Sequence, residues 1–598
     1  MALHTINGVQ TQTQQIDTTG DTWLFEDGVT FTNSGILVGT TASDDRILFN
    51  GHINTAGTGI YEVPGAIGNN FVVGKDASIS AVNSVFLSGE GTSFTNYGTM
   101  GTAAADGKGA YLITGVQTFR NFGTINVTGA GQSAGIFVAA TEGLTIENHG
   151  MISCKITGIN VTNGNADIVN AQGGTIAGDE FAVRLGSGNI IGLETSLTNA
   201  GHISSGKIAV EGSVNGDFVS NTGTIDGQVT LGDGSDHFSN AGTLNGDIFL
   251  GKGNDYFSNK GDWTTTGIFG GGSGNDTIDL RGGTASDGQG GTPQIWGDSG
   301  NDTYIVDKTT FDLRESFNGG VDTVKSTTSF ALADNFENLT LLGSKNIDGN
   351  GNGSDNVITG NAGNNILNGM GGEDLIDGGA GIDTLVFDAN GAKGVMANLL
   401  LGNARGADNH YSFISNIENV RGTQFADILL GDRKANVIEG GAGGDLLNGN
   451  GGKDTLSYEH SSDAVSVDLK ANTRSGGDAE GDILAGFENL QGSAHDDTLG
   501  GDDGKNLLTG GRGNDILTGY GAADTFIFSG HFGKDEITDF SAGDRVDFSQ
   551  GPMLFKDFDA MMAHVTVSGD DLVIHHGKDT LTLDHTDMSD LHASQFHF

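Results

Sequence analysis

The sequence predicts an all-β protein in which an N-terminal parallel β-helix continues into parallel β-rolls. Two observations predict this fold: a degenerate motif recurs every 19 to 29 residues in the N-terminal half, and a nine-residue unit recurs in the C-terminal half. The composition agrees, because 103 glycines and 3 prolines in 598 residues suit repeated turns and strands better than several compact globules. Helical periodicity is weak throughout the chain.

The nine-residue unit is clearest from Gly360 to Phe387, where three copies follow one another without a gap. Glycines open each copy, Asn or Asp fills the sixth position, and an apolar residue fills the eighth. Glycine permits the positive φ of a tight half-turn, and the short segment that follows is a strand whose apolar residue points inward. One copy is therefore a turn and a strand. Two copies form one coil of a β-roll, so turns on the same side recur every second copy.

Turns on the same side bring the residues at the sixth position together. Asn356 is expected to stack near Asp374, and Asn365 near Asp383. Carboxylates stacked at the strand spacing of about 4.8 Å repel each other by about 3 kcal/mol per pair at an effective dielectric near 20. A cation must therefore lie between the turns. Calcium fits because it accepts about six to eight hard oxygens, backbone carbonyls included, in a flexible geometry.

Three arrays carry the unit, and every step within an array is nine residues. The predicted calcium ligands at the sixth position are Asn356, Asn365, Asp374 and Asp383, then Asp427, Asn436, Asp445 and Asp454, then Asp497, Asn506, Asp515 and Asp524. The predicted backbone carbonyl ligands lie near Gly360, Gly363, Gly369, Gly372, Gly378, Gly381, Gly440, Gly443, Gly449, Gly452, Gly510, Gly513 and Gly519. The asparagine copies lack the carboxylate charge, so they are expected to be weaker or rim positions.

The unit follows the consensus G-G-x-G-x-D-x-U-x, so the arrays resemble those of RTX (repeats-in-toxin) proteins, over residues from about 270 to 598. The resemblance implies calcium-dependent folding and export by a type I secretion machinery. The acidic and hydroxylated C-terminal end, which closes on Phe598, resembles the uncleaved export signal of that family. It further implies an extracellular or cell-surface location in a Gram-negative bacterium. The N-terminus lacks the basic and apolar regions of a signal peptide, and no apolar run approaches the length of a membrane span.

The motif of the N-terminal half reads apolar, any residue, Asn, any residue, Gly, any residue, apolar. Its asparagines are Asn96, Asn121, Asn148, Asn199, Asn221 and Asn240, while Asn33, Asn50, Asn170 and Asn259 head looser copies. The spacing suits one coil of a parallel β-helix with loops of varying length, and asparagines stacked inside such a solenoid can form a side-chain amide ladder. This half resembles the pectin-lyase-type and autotransporter-passenger solenoids in general architecture only.

The junction between the halves mixes both signals. GDGSDHF, GKGNDYF, GSGNDTI and GDSGNDTYI place aspartates in glycine-rich turns before the nonapeptides begin. Asp276 and Asp302 are predicted calcium ligands, whereas Asp236 and Asp255 are either ligands or parts of ordinary Gly-Asn turns. The predicted organisation is a solenoid at 1–265, a junction at 266–310, cassettes at 311–390, 391–460 and 461–530, and a C-terminal cap with the export signal at 531–598. FENL, IENV and FENL, at 336–339, 417–420 and 487–490, precede the three arrays.

Charge and motifs narrow the function classes. A formal net charge of −47 argues against nucleic acid and anionic lipid as partners. Cys154 is the single cysteine and is predicted to be a buried residue of one coil. The sequence contains no H-E-x-x-H, G-x-S-x-G or Walker-type motif, so a catalytic role is the less favoured interpretation.

The pattern favours a secreted calcium-binding protein of the bacterial surface or matrix, which is S-layer-like, filament-forming or adhesive. Self-association and a polysaccharide or other cell-surface ligand are its candidate interactions. The alternative is a polysaccharide-active β-helix enzyme, a lyase or epimerase on uronate polymers, for which Arg46, Arg120 and Arg184 are the only arginines in the first 260 residues. A cytolysin or bacteriocin has less support, because no amphipathic or apolar helical segment is present.

Overall fold

The computed structural model describes residues 1–139, 143–186, 192, 194–265, 267–387, 393–550 and 554–598. Its chain divides into two compact units, Met1–Val324 and Lys325–Phe598, and short parallel strands make up most of both. The all-β prediction is confirmed, with a β-helix in the first unit and β-rolls in the second. The predicted domain boundaries at 265/266 and 390/391 touch residues outside the described ranges. Thr323–Ser326 is the strand that contains the boundary between the units.

Unit 1, Met1–Val324, is a parallel β-helix with three ladders of strands, so that most coils contribute one strand to each ladder. The first ladder comprises Leu3–Ile6, Thr22–Phe25, Arg46–Phe49, Asn70–Val73, Thr92–Asn96, Val116–Asn121, Leu144–Asn148, Ala166–Asn170, Ser196–Asn199, Phe218–Asn221, His237–Asn240, Tyr256–Asn259, Thr277–Asp279 and Thr303–Val306. The second comprises Val9–Gln10, Thr30–Thr32, His52–Asn54, Ser78–Ser80, Thr99–Thr102, Thr124–Val127, Met151–Cys154, Thr175–Gly178, Thr243–Asn245, Asp262–Thr264 and Thr284–Ser286.

The third ladder comprises Gln14–Ile16, Ile36–Val38, Thr58–Glu62, Asn83–Leu87, Lys108–Leu112, Ala134–Val138, Thr157–Val161, Phe181–Arg184, Ile248–Lys252, Ile268–Ser273, Gln294–Ser299 and Asp312–Arg314. Two long strands, His202–Glu211 and Thr224–Asp233, pair with both the second and the third ladder. The ladders extend without interruption through the coils that carry the four junction aspartates, as the sequence predicts.

Alternation along each strand places one set of side chains in the core of unit 1. In Thr92–Asn96, every second residue is buried, and the ring of Phe94 stacks on that of Phe119 one coil further, with centroids 5.1 Å apart. Burying such a side chain contributes about 1.5–3 kcal/mol, and the parallel register places another buried apolar residue, Ile146, one coil further. Cys154 is 3% exposed and ends one of these strands, as predicted.

The predicted asparagine ladder is present in unit 1. Side-chain Nδ2 donates to Oδ1 of the asparagine one coil further through Asn96, Asn121, Asn148, Asn170, Asn199, Asn221, Asn240 and Asn259, with distances of 2.7 to 2.8 Å. Asn33 and Asn50 lie outside this ladder. In the earlier coils, the register assigns the ladder position to Phe25, Phe49 and Val73, because Val73 pairs with Asn96.

Unit 2, Lys325–Phe598, is built from shorter strands in three groups. The first contains Asn338–Leu341, Val357–Thr359, Leu375–Asp377, Met396–Asn398, Asn403–Arg405, Tyr411–Ser415, Ile428–Leu430, Leu446–Asn448 and Ile483–Ala485. The second contains Phe330–Ala331, Gly349–Asn350, Ile366–Asn368, Thr384–Val386, Asn419–Arg421, Val437–Glu439, Thr455–Ser457, Asn489–Gln491, Leu507–Thr509, Thr525–Ile527, Arg545–Asp547 and Phe596–His597.

The third group contains Ser466–Asp468, Thr473–Ser475, Thr498–Gly500, Ile516–Thr518, Lys534–Ile537, Val565–Ser568, Asp571–His576 and Asp579–Leu583. The α-helix Phe558–Met562 and the 3₁₀ turns Gly477–Ala479, Met588–Asp590 and Ala593–Gln595 complete unit 2. Most of these strands pair in parallel with the strand two nonapeptides away, and the middle residues, such as Leu367, Ile376 and Leu385, are buried. Each nonapeptide is therefore the turn and strand that the sequence predicts.

Candidate metal centre

The residues at the sixth position of the nonapeptides in unit 2 form pairs one coil apart. In each pair, the backbone amide of the first member donates to Oδ1 of the second, at 2.7 to 3.0 Å. The six pairs are Asn356–Asp374, Asn365–Asp383, Asp427–Asp445, Asn436–Asp454, Asp497–Asp515 and Asn506–Asp524. The structure thus brings the twelve predicted side-chain ligands of the three arrays together in pairs two nonapeptides apart.

The side chain of the first member of each pair accepts a hydrogen bond from a nearby backbone amide. The amide four residues earlier donates to its side-chain oxygen, at 2.5 to 2.8 Å, from Asn352, Asn361, Thr423, Asp432, Ser493 and Asp502. The asparagines predicted to be rim positions are all first members. Their Nδ2 groups also find acceptors, as Asn436 does on the carbonyl of Glu418 at 2.8 Å.

The side-chain oxygens of the second members have different surroundings. Oδ2 is buried and has no hydrogen-bond donor within the described parts of unit 2 in Asp383, Asp445, Asp454 and Asp515. Asp374 differs, because its Oδ2 accepts a 3.3 Å bond from the hydroxyl of Ser412. A buried carboxylate oxygen without a donor costs free energy unless a cation lies against it.

Glycines leave room beside these oxygens. A β-carbon on Gly440 would lie under 3.0 Å from Oδ2 of Asp445, and Gly369, Gly510 and Gly519 stand in the same relation to Asp374, Asp515 and Asp524. Carbonyl oxygens of the next coil line these spaces, because β-carbons on Gly351, Gly360, Gly422, Gly431 and Gly492 would collide with the carbonyls of Gly369, Gly378, Gly440, Gly449 and Gly510. Carboxylate and carbonyl oxygens around a space too small for a side chain fit a calcium ion.

The remaining predicted glycines shape the turns. Gly372, Gly381, Gly443, Gly452 and Gly513 adopt φ angles from 98° to 146°, which only glycine adopts readily. The carbonyls of Gly363 and Gly513 lie against Gly381 and Gly533 of the next coil. These glycines therefore permit the close stacking of turns that the pairs require.

Burial makes the charge of the second members costly. Desolvation raises the pKa of Asp445 to about 8, that of Asp515 to about 7, and those of Asp374, Asp383, Asp454 and Asp524 to about 6. Neighbouring carboxylates add to the shift, as Asp482 does for Asp445. A divalent cation between the turns would remove both causes.

The profile of the RTX calcium-binding nonapeptide repeat matches this sequence in four copies, at residues 350–385, 421–456, 484–517 and 500–530. The chain carries RTX calcium-binding repeats. Among solved structures, the chain is similar to the extracellular lipase LipA from Serratia marcescens, with 19% identity, a TM-score of 0.19, and coverage of 47% of this chain and 45% of the lipase. The chain thus matches less than half the length of that lipase. No curated protein sequence matches it.

Every pair of RTX sixth-position residues continues to a third residue that the sequence prediction missed. The backbone amide of the second member donates to its side chain, at 2.9 to 3.2 Å. In chain order, these third residues are Ser412, Glu418, Asp482, Glu488, Asp535 and Asp544. Glu418 and Glu488 belong to IENV and FENL, so these recurrent segments carry the acid that ends a row of the preceding array. The recurrence of these segments in the sequence could have indicated the two glutamates.

A similar row lies in unit 1, outside the residues that the RTX profile matches. The amides of Asp217, Asp236, Asp255, Asp276 and Asp302 each donate to Oδ1 of the next aspartate, at 2.7 to 2.9 Å, and the row ends at Asp322. Oδ2 of Asp236, Asp255, Asp276 and Asp302 is buried without a donor in the described part of unit 1. The four predicted junction aspartates are therefore arranged like the second members of the RTX pairs.

Asp217 begins this row and was not predicted. Its Oδ2 accepts a 2.6 Å bond from the amide of Ser213, four residues earlier, as in the first members of unit 2. Burial raises the pKa of Asp236 and Asp276 to about 8, and that of Asp217, Asp255 and Asp302 to about 6. The signal for Asp217 was its position four residues before ladder residue Asn221, which Asp236 and Asp255 share with Asn240 and Asn259.

The arginines considered for a polysaccharide site have other surroundings. Arg120 pairs with Glu147 of the next coil, with 3.0 Å between Nε and Oε2, and Arg184 pairs with Glu211. Arg46 begins its strand with an exposed side chain. No helix within the described residues is long and apolar enough to cross a membrane.

Proposed function

We propose that this protein is a secreted calcium-binding protein of the bacterial surface or matrix that folds when it meets calcium outside the cell. The observation that carries the proposal is the set of buried Oδ2 atoms, in Asp383, Asp445, Asp454 and Asp515, that have no donor in the described residues. Carboxylates in this arrangement need a cation before the coil is stable. The residues of the six pairs, with the carbonyls between them, are the proposed ligands.

The combined effect of these ions is large. A site that sees calcium at ten times its dissociation constant gains about 1.4 kcal/mol by linkage. Six such sites, one for each pair, contribute about 8 kcal/mol, which is comparable to the whole stability of a domain. The proposed ligands do not form a site in the unfolded chain, so calcium binding and folding are one event.

The coupling of folding to calcium binding suits a protein that is exported from the cell. Extracellular calcium modules bind with dissociation constants of about 10⁻⁴ to 10⁻³ M, so the chain would stay unfolded in a calcium-poor cytosol. An unfolded chain suits passage through a type I secretion machinery, and folding then follows in the calcium-rich medium. The proposed export signal lies with the C-terminal cap at 531–598, which contains the antiparallel strands Val565–Ser568, Asp571–His576 and Asp579–Leu583.

The surface role draws support from an apolar face on the first strand group of unit 2. Val357, Leu375 and Phe413 stand in register on neighbouring strands and are 42%, 49% and 70% exposed. A second register row holds Ile428, Leu446 and Ile483, at 40%, 39% and 58%. A second copy of the chain presents apolar rows with the same spacing, so two such faces can interdigitate.

Self-association is the proposed consequence of this face. Calcium would also reduce the mutual repulsion of chains that carry a net charge of −47. The uronate-polymer enzyme has less support, because Arg120 and Arg184 are engaged in ion pairs within unit 1. A polysaccharide on the cell surface stays a proposed ligand.

Circular dichroism and sedimentation velocity, with calcium titrated from none to about 10 mM, test both parts of the proposal. We expect a coil-to-β transition and then large assemblies, and magnesium at the same concentrations should produce neither. Phe413→Ser should keep the transition and reduce assembly, while Phe317→Ser, which removes an exposed phenylalanine from unit 1, should change neither. A transition with a persistent monomer would overturn the surface role, and no transition would overturn calcium-dependent folding.

A further inference from the structure

Three acidic residues meet in the last coils of unit 1, beyond the reach of the RTX profile. Asp302, Glu315 and Asp322 each place one carboxylate oxygen within 4.8 Å of the other two. Their exposed fractions are 1%, 5% and 1%. Asp302 and Asp322 are the last two members of the aspartate row, since the amide of Asp302 donates to Oδ1 of Asp322 at 2.7 Å. Glu315 directly follows the strand Asp312–Arg314 and belongs neither to that row nor to a nonapeptide.

Asp302 provides an independent indication of a ligand. Its Oδ1 accepts a 2.7 Å bond from the amide of Asp276, while its buried Oδ2 has no donor in the described part of unit 1. A β-carbon on Gly297 would lie under 3.0 Å from both this Oδ2 and Oε1 of Glu315. Oxygens of two separate acids therefore line one space that is too small for a methyl group.

A buried tyrosine orients the glutamate. The hydroxyl of Tyr304 donates to Oε1 of Glu315 at 2.6 Å, and Tyr304 has no exposed surface. In unit 2, the hydroxyl of Tyr458 donates in the same way to Oδ2 of Asp482, the residue that follows Asp427 and Asp445, at 2.9 Å. Second neighbours of this kind hold a metal ligand in position and tune its affinity.

We propose that Asp302, Glu315 and Asp322 hold a calcium ion that closes the aspartate row of unit 1. Three carboxylates at one site provide more negative charge than the in-line RTX positions, where backbone carbonyls supply part of the ligand set. Because affinity for calcium rises with ligand charge, this site fills at lower calcium concentration than the arrays of unit 2. The inference rests on the proposed function only for the identity of the cation.

The test uses the full chain and counts bound calcium by equilibrium dialysis, with terbium luminescence as a second probe. Glu315→Gln removes one charge and keeps the shape of the side chain, while Gly297→Ala fills the space. Each is expected to lose one tightly bound ion per chain and the emission of the first terbium equivalent. Asp312→Asn is the matched control, because Asp312 forms an ion pair with the exposed Arg314 of its own strand, just before Glu315. This variant should lose neither the ion nor the emission.

Tyr304→Phe gives a readout that does not require the loss of a ligand. It should keep the number of bound ions and lower the affinity of the tightest one by about tenfold. The inference is overturned if Glu315→Gln and Gly297→Ala fold as the wild type does and bind the same number of ions with the same affinity. It is also overturned if Tyr304→Phe leaves the tightest affinity unchanged. A wild-type chain that binds no calcium would overturn the proposed function itself, whereas calcium binding that ignores all three variants would overturn this site alone.

Discussion

Two columns of polar side chains run through the same coils of unit 1, and they satisfy their hydrogen bonds differently. In the column that contains Asn221 and Asn240, each amide donates to one neighbour and accepts from the other. In the column that contains Asp236 and Asp255, each carboxylate accepts one backbone amide on Oδ1, and Oδ2 has no donor in the described residues. An amide carries both donors and an acceptor, whereas a carboxylate only accepts. Stacked asparagines therefore satisfy one another's hydrogen bonds, whereas stacked aspartates need a cation.

In the N-terminal coils of the same solenoid, protein groups donate hydrogen bonds to both oxygens of buried acids, so these acids need no cation. Asp45 accepts from the amide of Asp21 at 2.6 Å and from the hydroxyl of Thr18 at 2.9 Å, so both of its oxygens have donors. Glu62 is fully buried and accepts from Asn69, Thr92, Ser88 and Gly89. Protein donors surround the acids of these early coils. The difference teaches that the missing donors at the later aspartates are specific to those coils rather than to the fold.

Calcium removal is expected to separate the two kinds of column most strongly. In chelator, unit 2 should lose its β-structure, because its six paired sites together contribute about 8 kcal/mol. The coils from Thr92–Asn96 to Ser196–Asn199, which carry the asparagine ladder, should keep slow amide exchange. Hydrogen exchange with mass spectrometry, with and without calcium, measures both. Equal loss of protection in the two regions would contradict the comparison.

The pH dependence of the metal-free chain should also follow the aspartate rows. Unfolded aspartates titrate near 3.8, whereas burial raises the pKa of Asp236, Asp276 and Asp445 to about 8. Between about pH 4 and pH 8, the folded metal-free chain therefore binds more protons than the unfolded chain, and its stability falls as the pH rises. The sum is on the order of 5 kcal/mol after allowance for solvent screening.

Denaturant unfolding of calcium-free chain at pH 5.5 and pH 8 measures this effect. Saturating calcium is the control, because a bound cation replaces the proton and should remove most of the dependence on pH. Greater stability of the metal-free chain at pH 8 than at pH 5.5 would contradict the prediction.

A carboxylate placed in the asparagine ladder should break the self-completing column. Asn148 accepts from Asn121 and donates to Asn170, both at 2.8 Å, and Asn148→Asp removes the donor while it buries a charge. We expect a loss of about 3 kcal/mol, with calcium or without it, because a carboxylate cannot donate to Oδ1 of Asn170 or to the carbonyls of Gly150 and Thr175, as Nδ2 of Asn148 does. Thermal unfolding measures the loss. Asn163→Asp, at an exposed position of the same coil, is the control and should change little.

The reverse exchange in unit 2 should change sign with calcium. Asp445→Asn removes a proposed ligand, so the folded chain should lose about 1–3 kcal/mol in calcium. In chelator, the same change should gain about 1 kcal/mol, because a neutral amide replaces an acid that must either bury its charge without a donor or take up a proton on folding. Denaturant unfolding measures the change in calcium, and refolding of unit 2 by a stabilising osmolyte measures it in chelator. Asp503→Asn, at a side chain that is 80% exposed, is the control. The same sign in both conditions would contradict the argument.

Periodic parts of the molecule could be predicted from the sequence, and interrupted parts could not. Asp427 and Asp445 lie 18 residues apart, two nonapeptides, so counting alone places them together. Asp445 and its next neighbour Asp482 lie 37 residues apart, because an antiparallel hairpin and a 3₁₀ turn intervene. The length of such an insertion does not determine the register of the strand that follows it. The row ends were missed for this reason.

Degenerate motifs failed in a different way. Asn33 sits in FTNSG, which resembles the FTNYG around Asn96, yet Asn33 adopts a φ of 61° in an exposed turn. Asparagine is common both in left-handed turns and in buried ladders, so residue type could not distinguish these places. Register distinguishes them, and register depends on the whole coil. The same limit concealed the closing amides of Thr423 and Ser493, which are backbone groups and leave no sequence signal.

The smallest expected effect tests whether position, rather than motif, makes an asparagine matter. Asn33→Asp should change the free energy of unfolding by about 0.5 kcal/mol or less, because the side chain is exposed and aspartate also tolerates a left-handed backbone. The amide of Asn33 donates to the carbonyl of Asn54, a bond that the substitution keeps. Denaturant unfolding beside Asn148→Asp measures the contrast under one condition. A cost above about 1 kcal/mol would mean that the side-chain amide of Asn33 itself stabilises the turn. Sensitivity to an Asn→Asp change would then not be specific to the asparagine ladder of unit 1.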